Sequence, residues 1–321
     1  MKLDVIIPCY NAKDTLSDTL SSIKVQNNTK NIKVYLVNDC SDYDYKEFID
    51  QFSNYFHIEE IKIDNNVGPG EARNIGIRNS NNPYIVFIDS DDVLYSSDSL
   101  ETLYKEITKG KFDMVVSDFI YERDNERIVK RANNVWLHGK IYNRKFLEEN
   151  NIYFNNTRAN EDNGFNNLII LLTQNIKYIN KITYIYKENK NSITRRNNRE
   201  YKISGLDGYT YNIRWAMDEA MKRNVNPLYV RIICYSNLYA MYYYYLEYYK
   251  DYDVEPLLKW SKRLIEIYDK YSEYTLKEEI KDIMITQKDR DYKERNIVLD
   301  RFITFEEFLE KVRKSKLQNK K

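Results

Sequence analysis

The chain has 321 residues, with 50 Lys and Arg against 49 Asp and Glu and a net charge of +1. That length supports a substantial core and two domains, or one domain with an extension. The balanced charge argues against a general nucleic-acid binder, which needs a positive field. No apolar run approaches the ~20 residues of a membrane span, and Met1-Lys2-Leu3-Asp4 lacks a signal-peptide core, so the chain reads as cytoplasmic. The three cysteines (Cys9, Cys40, Cys234) show no pairing pattern, and two histidines (His57, His138) cannot build a multi-histidine centre. Any metal here is therefore expected on oxygen ligands, which favours magnesium, manganese or calcium. The 31 tyrosines are read as a compositional bias of the coding sequence rather than as function.

In chain order, Leu3-Asp4-Val5-Ile6-Ile7 predicts a strand closed by Pro8-Cys9-Tyr10-Asn11. Leu16, Leu20 and Ile23 predict a helix over 12–26. Lys33-Val34-Tyr35-Leu36-Val37 predicts a second strand, ending in Asn38-Asp39-Cys40-Ser41-Asp42. A helix over 44–54, a short strand over 58–63 and a helix over 70–80 precede Tyr84-Ile85-Val86-Phe87-Ile88, a buried strand that stops at Asp89-Ser90-Asp91-Asp92. Alternating strands and helices imply a doubly wound, mainly parallel sheet. Residues 112–118 predict another strand, 119–135 a hairpin or loop, 162–173 a helix and 182–187 a strand. From about 200 amphipathic helices take over, as in Leu257, Trp260, Leu264, Ile267 and Tyr271. The tyrosine-rich run 235–249 reads as a buried helix in preference to a sugar-stacking platform. The basic tail (Lys311, Arg313, Lys314, Lys316, Lys320, Lys321) could touch anionic headgroups at the inner face of a membrane, but reads more simply as a frayed terminus.

Three carboxylates at the end of a core strand repel one another unless a cation neutralises them, and a hard divalent cation there could carry a phosphate group. In a parallel sheet the carboxyl ends of strands line one crevice, so Pro8, Tyr10, Asn11, Asp39 and the acidic turn share a cleft. Asp39 fits either a hydrogen bond to a base or ribose, or an ordinary turn cap. Three of the chain's eight glycines fall in Asn65-Asn66-Val67-Gly68-Pro69-Gly70-Glu71-Ala72-Arg73-Asn74-Ile75-Gly76, where Arg73 could fork to a diphosphate. A turn with a surface arginine is the plainer reading, and the absence of Gly-Lys-Ser/Thr counts against a P-loop.

Together these pieces resemble a family 2 glycosyltransferase with the GT-A nucleotide-sugar fold. The resemblance rests on Val5-Ile6-Ile7-Pro8-Cys9-Tyr10-Asn11, Val37-Asn38-Asp39-Cys40-Ser41-Asp42, Asn66 to Gly76, and Asp89-Ser90-Asp91-Asp92. It covers residues 1–120 well and continues loosely to about 196. It implies a Rossmann-like catalytic domain over 1–200; the helical C-terminal region over 201–321, read from its amphipathic spacing as an acceptor site or an oligomer interface, lies outside what the resemblance covers. By the same resemblance Pro8, Tyr10, Asn11 and Asp39 line the nucleotide pocket, with Asn66 and Arg73 beside the uridine and phosphates. Asp89 and Ser90 then serve the donor, and Asp89 and Asp91 form the Asp-x-Asp motif with Asp91 on Mn2+ or Mg2+. Asn38 and Cys40 depart from the Val-Asp-Asp-Gly-Ser that many relatives carry, which alters the turn but keeps Asp39.

Asn160-Glu161-Asp162-Asn163-Gly164-Phe165 could be ordinary helix N-terminal charge. The resemblance makes Asp162 the catalytic base and Glu161 a group that orients the acceptor or an arginine. In Trp136-Leu137-His138-Gly139-Lys140, His138 stands where relatives carry Trp; a metal or donor-sugar contact is the sharper reading and a hydrogen-bonded structural histidine the plainer one. Arg195 and Arg196 sit in a segment that closes over the diphosphate in relatives, or form a solvated basic loop. The expected activity is inverting transfer from a UDP-sugar to a cell-surface glycan, teichoic acid, lipid-linked glycan or protein. Alternatives are a sugar-phosphate nucleotidyltransferase, disfavoured by Pro-Cys-Tyr-Asn after the first strand, and a non-catalytic nucleotide-sugar binding module. A homo-oligomer is compatible with this reading.

Overall fold

The computed structural model describes residues 1–123, 126–132, 135–189, 201–294 and 296–315. The chain divides into two compact units, Met1–Arg196 and Asn197–Lys321.

The first unit follows the order β1 (Leu3–Cys9), α1 (Lys13–Lys24), β2 (Ile32–Asn38), α2 (Lys46–Phe52), β3 (His57–Lys62), α3 (Pro69–Asn79), β4 (Tyr84–Phe87), β5 (Val93–Leu94) and α4 (Ser99–Gly110). It continues through β6 (Met114–Arg123), β7 (Glu126–Lys130), β8 (Lys140–Asn143), α5 (Arg144–Glu149), α6 (Glu161–Leu172) and β9 (Ile176–Tyr186). The sheet runs β3-β2-β1-β4-β8-β6-β9-β5, with β7 paired to β6. The first four strands are mutually parallel, as are β6 and β9, while β5, β7 and β8 run antiparallel to their neighbours. The sheet is thus mixed rather than purely doubly wound. The hairpin expected within 119–135 forms between β6 and β7.

Val5, Ile6 and Ile7 are all fully buried, which explains the unbroken apolar run of β1: a central parallel strand is covered on both faces. Asp4 is buried beside them because its carboxylate accepts the N–H groups of Asn81 and Asn82 and the Asn82 amide, each at 2.7 Å. It thereby pins the turn that launches β4. Below the site, Phe154 and Phe165 stack at 3.9 Å, and Phe87 and Tyr142 pack against Phe165.

The second unit is helical: α7 (Tyr201–Lys222), α8 (Pro227–Tyr248), α9 (Glu255–Lys270), α10 (Glu278–Glu294) and α11 (Phe305–Lys314). Tyrosines of α8 form its core, with Tyr239 4.8 Å from Phe305 and Tyr242 5.7 Å from Phe308. Their hydroxyls find partners, as buried phenols require: Tyr242 donates to the Ile303 carbonyl at 2.6 Å. These rings are packing. Leu257, Leu264 and Ile267 of α9 are buried as their spacing predicts. In the basic tail Arg313 forks to Asp269, with two contacts of 2.9 Å, so it serves the unit itself; Lys316, Lys320 and Lys321 lie outside the described residues. Among the described residues no helix is long and apolar enough to cross a membrane.

Candidate active site

The carboxyl ends of β1, β2 and β4 meet along one edge, as their parallel pairing requires. Pro8 is half-buried at the end of β1, and the next residues, Tyr10 and Asn11, are exposed. Asn11 zips this loop to the one after β2: its amide donates to Asp42 at 3.3 Å and accepts the Asp42 N–H at 3.1 Å.

Asp39 has a definite local task. It is 3% exposed, and its carboxylate accepts the N–H of Val67 at 2.7 Å and of Gly68 at 2.9 Å. Asn66 returns a hydrogen bond to the Asp39 carbonyl at 3.1 Å. Gly68 has φ +89°, a conformation that other residues resist, so the bend that opens α3 needs glycine here. The sequence leaves Asp39 as either a base contact or a turn cap; the carboxylate is seen holding the glycine loop.

Arg73 differs from the expected diphosphate fork. It is 4% exposed, one end of its guanidinium donating to Asp89 at 2.6 Å and the other to Glu161 at 2.7 Å. The side chain points inward because the first turn of α3 is packed against the loop before α6. Asn74 fixes that packing with a two-way pairing to the backbone of Phe154, at 2.7 and 2.9 Å. Arg73 therefore joins the end of β4 to the start of α6 across 88 residues of sequence. Burial pushes the Asp89 carboxyl up, but Arg73 and then His138 outweigh it, and the group titrates below its ordinary range.

At the acidic turn Asp92, not Asp91, faces inward. Asp92 is fully buried, accepting the Tyr184 hydroxyl at 2.7 Å and the Lys187 N–H at 2.8 Å. Burial, and then the charges of Asp91 and Asp89, push its carboxyl well above the usual carboxylate range. His138 Nε2 lies 3.7 Å from Asp92 and 4.0 Å from Asp89. Ligand atoms of Asp89, Asp92 and His138 all fall within 4.8 Å of one another, the one such cluster found among the described residues. Asp91 sits half-buried on the same turn and accepts the Asn189 amide at 2.7 Å, outside that cluster. Ser90 is half-buried and its carbonyl takes the Thr19 hydroxyl at 3.1 Å.

The His138 ring is stacked against Tyr184 and Tyr186, at 5.0 and 4.5 Å. Its Nδ1 is buried with no hydrogen-bond partner, which departs from the hydrogen-bonded structural histidine. Burial drives its pKa down to about 3 against the pull of Asp89, so the imidazole is neutral at physiological pH and can ligate a metal. The segment's Gly139 has φ +65°, and a Cβ there would lie 2.4 Å from Ser117 Oγ. Two crowded carboxylates and a neutral imidazole form a donor set that a divalent cation fits.

Asp162 opens α6 beside Glu161. Its Oδ1 accepts the Asn163 N–H at 2.8 Å, and burial, then the Glu161 charge, raise its pKa to about 7. Buried Lys140 is pushed down to about 7, chiefly by desolvation, with Asp162 acting in the opposite sense. A carboxyl poised near neutrality suits general-base work. One residue had no signal in the sequence: exposed Arg158, whose guanidinium reaches both the side-chain oxygen of Asn66 and, at 3.2 Å, its carbonyl. Arg195 and Arg196 lie outside the described residues.

The chain is similar to known proteins in sequence and in fold. A family model described as Glycosyl transferase family 2 matches residues 4–163. Glycosyltransferase GlyA of Streptococcus pneumoniae serotype 4 is 30% identical over 223 residues, covering 60% of this chain and 32% of that protein. Poly(ribitol-phosphate) beta-N-acetylglucosaminyltransferase TarS of Staphylococcus aureus is 24% identical over 207 residues, 58% of this chain and 35% of that one. The chain thus spans about a third of the length of these curated relatives. Among solved structures, S. aureus TarS 1–349 in complex with UDP-GlcNAc superposes with a TM-score of 0.70 at 18% identity, over 84% of this chain and 82% of that one. Mannosyltransferase PcManGT from Pyrobaculum calidifontis, in complex with GDP-Man and Mn2+, gives 0.56 at 13% identity over 97% and 86%.

Proposed function

Since the chain belongs to the family 2 glycosyltransferases and has the GT-A fold, we propose that it transfers a sugar, with inversion, from a UDP-sugar to a hydroxyl of a cell-surface glycan or related acceptor. The observation that carries this reading is the Arg73 bridge, which sets the Asp89 end of the acidic turn beside the Glu161–Asp162 pair. Donor-side and acceptor-side chemistry then share one rigid frame.

In this reading Tyr10, Asn11, Pro8 and Asn66 border the nucleotide, with Asp39 shaping its pocket through the glycine loop. Asp89, Asp92 and His138 hold a divalent ion, with Asp91 alongside; Mn2+ matches the mixed carboxylate and imidazole set better than Mg2+ does. Such an ion neutralises charge on a departing diphosphate. Asp162 takes the proton of the acceptor hydroxyl. The acceptor oxygen forms its bond to the anomeric carbon while the bond from that carbon to the phosphate oxygen breaks, and UDP leaves with the electron pair. Glu161 and Arg73 keep Asp162 in place, and Arg195 and Arg196 are assigned from sequence alone to the leaving group.

UDP release from a panel of UDP-sugars, with GDP-mannose as control and with or without Mn2+, tests the reading. Mn2+-dependent release from at least one donor is expected, and its loss in Asp162→Asn with UDP binding retained. Tight UDP binding without turnover of any donor would sink it.

A further inference from the structure

Several charged and titratable groups surround Asp162, yet none of them holds its carboxylate. Glu161 precedes it, and its field is shaped by Arg73 from α3, Asp89 from the end of β4, and Lys140 and Tyr142 from β8. Arg73 donates to Asp89 and Glu161, Lys140 to the Trp136 carbonyl, and the Tyr142 hydroxyl to Asn166 at 2.9 Å. Among the described residues, both hydrogen bonds that the Asp162 carboxylate accepts come from Asn163: its backbone N–H at 2.8 Å and its side-chain NH2 at 3.1 Å. Both end on Oδ1. Oδ2 accepts none, and it is not among the sealed polar atoms of the fold.

Asn163 holds this pose at the expense of its own carbonyl. The residue is 3% exposed, and its Oδ1 is buried with no hydrogen-bond partner. A buried acceptor left unpaired destabilises a fold. Turning the amide over gives no relief, because its oxygen would then face Asp162 Oδ1 and Asn160 Oδ1, which lie 3.1 and 3.4 Å from Nδ2. The other asparagines of α6 are spent on packing. Asn166 accepts from Tyr142 and donates to the Val135 carbonyl at 2.8 Å, and Asn167 donates to the Asn163 carbonyl at 2.7 Å. Of the three, only the amide that faces Asp162 keeps a buried polar atom unpaired.

We propose that Asn163 is the positioning residue of the base: with two donors on Oδ1 it fixes the Asp162 carboxylate about its Cβ–Cγ bond and leaves Oδ2 to take the acceptor proton. The inference rests on the glycosyltransferase reading above. A carboxylate free to turn presents either oxygen, whereas two N–H groups on one oxygen select the other. The acceptor O–H proton passes to Oδ2, and the electron pair left on the acceptor oxygen forms the bond to the anomeric carbon. The bond from that carbon to the phosphate oxygen breaks, and its pair leaves on UDP. The Asp162 acid then carries its proton on Oδ2, while Oδ1, now the carbonyl oxygen, still accepts both N–H groups. The pose therefore suits the base before and after the step. Glu161 and Arg73 set where the turn stands, and Asn163 sets which way the carboxylate faces.

The test is an NMR titration of the full chain, with aspartate labelled at its carboxyl carbon and asparagine at its side-chain nitrogen. The Asp162 carboxyl is the signal missing from Asp162→Asn. No turnover is involved, so a failure here is separate from a failure of the UDP-release assay. In the wild type the carboxyl titrates at about 7, and the Asn163 side-chain NH2 resonance follows the same midpoint, a reading that needs no substitution at 163. In Asn163→Ala and in Asn163→Leu the midpoint rises by about 0.5 to 1 pH unit, because the charged form loses a donor. Asn167→Leu, which breaks a buried hydrogen bond one turn along the same helix, leaves the midpoint in place. In the UDP-release assay both Asn163 variants lower kcat about five- to tenfold, with donor KM within about twofold of wild type, and the rising pH limb moves up with the carboxyl. An unmoved midpoint in both Asn163 variants, an equal shift in Asn167→Leu, or an Asn163 amide that does not follow the Asp162 titration overturns the proposal. A loss of activity through KM alone overturns it equally.

Discussion

Asp39 and Asp92 follow β2 and β4, the two parallel strands that flank β1, and both are almost completely buried. Asp39 spends its oxygens on the N–H groups of Val67 and Gly68. Asp92 also has two donors, Tyr184 and Lys187, but it shares its turn with Asp89 and Asp91, and their charges add to its burial penalty. The first carboxylate is compensated by the fold; the second is left in a field that protonation or a bound cation relieves. Burial alone does not mark a functional acid. Uncompensated charge does.

The largest effect expected lies just beyond this pair. Asp162→Asn should cut transfer about 10²–10⁴-fold, the usual worth of a general base, while calorimetry shows unchanged UDP affinity. Next, Mn2+ should raise the melting temperature of the wild type and not of Asp92→Asn. If Asp91→Asn loses the Mn2+ effect and Asp92→Asn keeps it, the contrast drawn above is wrong. Asp39→Ala should leave that Mn2+ response intact yet destabilise the chain by about 1–3 kcal/mol in urea unfolding, through the stranded Gly68 N–H.

The pH dependence sharpens the same contrast. Asp162 works as a carboxylate, and its pKa is raised to about 7, so transfer should rise with pH through about 7 and level off above. Glu161→Gln removes a neighbouring negative charge and should move that limb to lower pH. For stability the sign is opposite: a carboxyl whose pKa rises to about 7 on folding favours the folded state at low pH and loses that support as pH climbs towards 7. Thermal melts at pH 4 and pH 8 should show Asp162→Asn gaining on wild type only at the higher value. The smallest effect is Arg158→Ala, an exposed contact whose loss should raise donor KM about two- to fivefold with little change in kcat.

Much of the fold was legible in the chain. β1 announces itself because a strand covered on both faces must be apolar throughout, and the helix at 162–173 because its apolar positions repeat at helical spacing. The mixed character of the sheet was not legible: β8 is four residues long and its antiparallel entry depends on where the chain returns, not on its composition. At the site, the Asp-x-Asp-Asp run and the Glu161–Asp162 pair stood out as charge at element ends. Arg158 did not, since it carries no periodicity and no motif.

What the sequence by itself determined is a parallel sheet whose strand ends gather carboxylates, with a family pattern that ties them to nucleotide-sugar chemistry. Only the tertiary structure decided which carboxylate turns inward. Asp91 and Asp92 are adjacent and chemically identical, and one bond of chain separates a half-buried partner of Asn189 from a sealed neighbour of His138. The same holds for Arg73, whose spacing suits a surface fork but whose helix, clamped by Asn74 on Phe154, sends it between Asp89 and Glu161. Side-chain direction at a turn or helix end is set by what packs behind it, and that partner lies some eighty residues away in the chain.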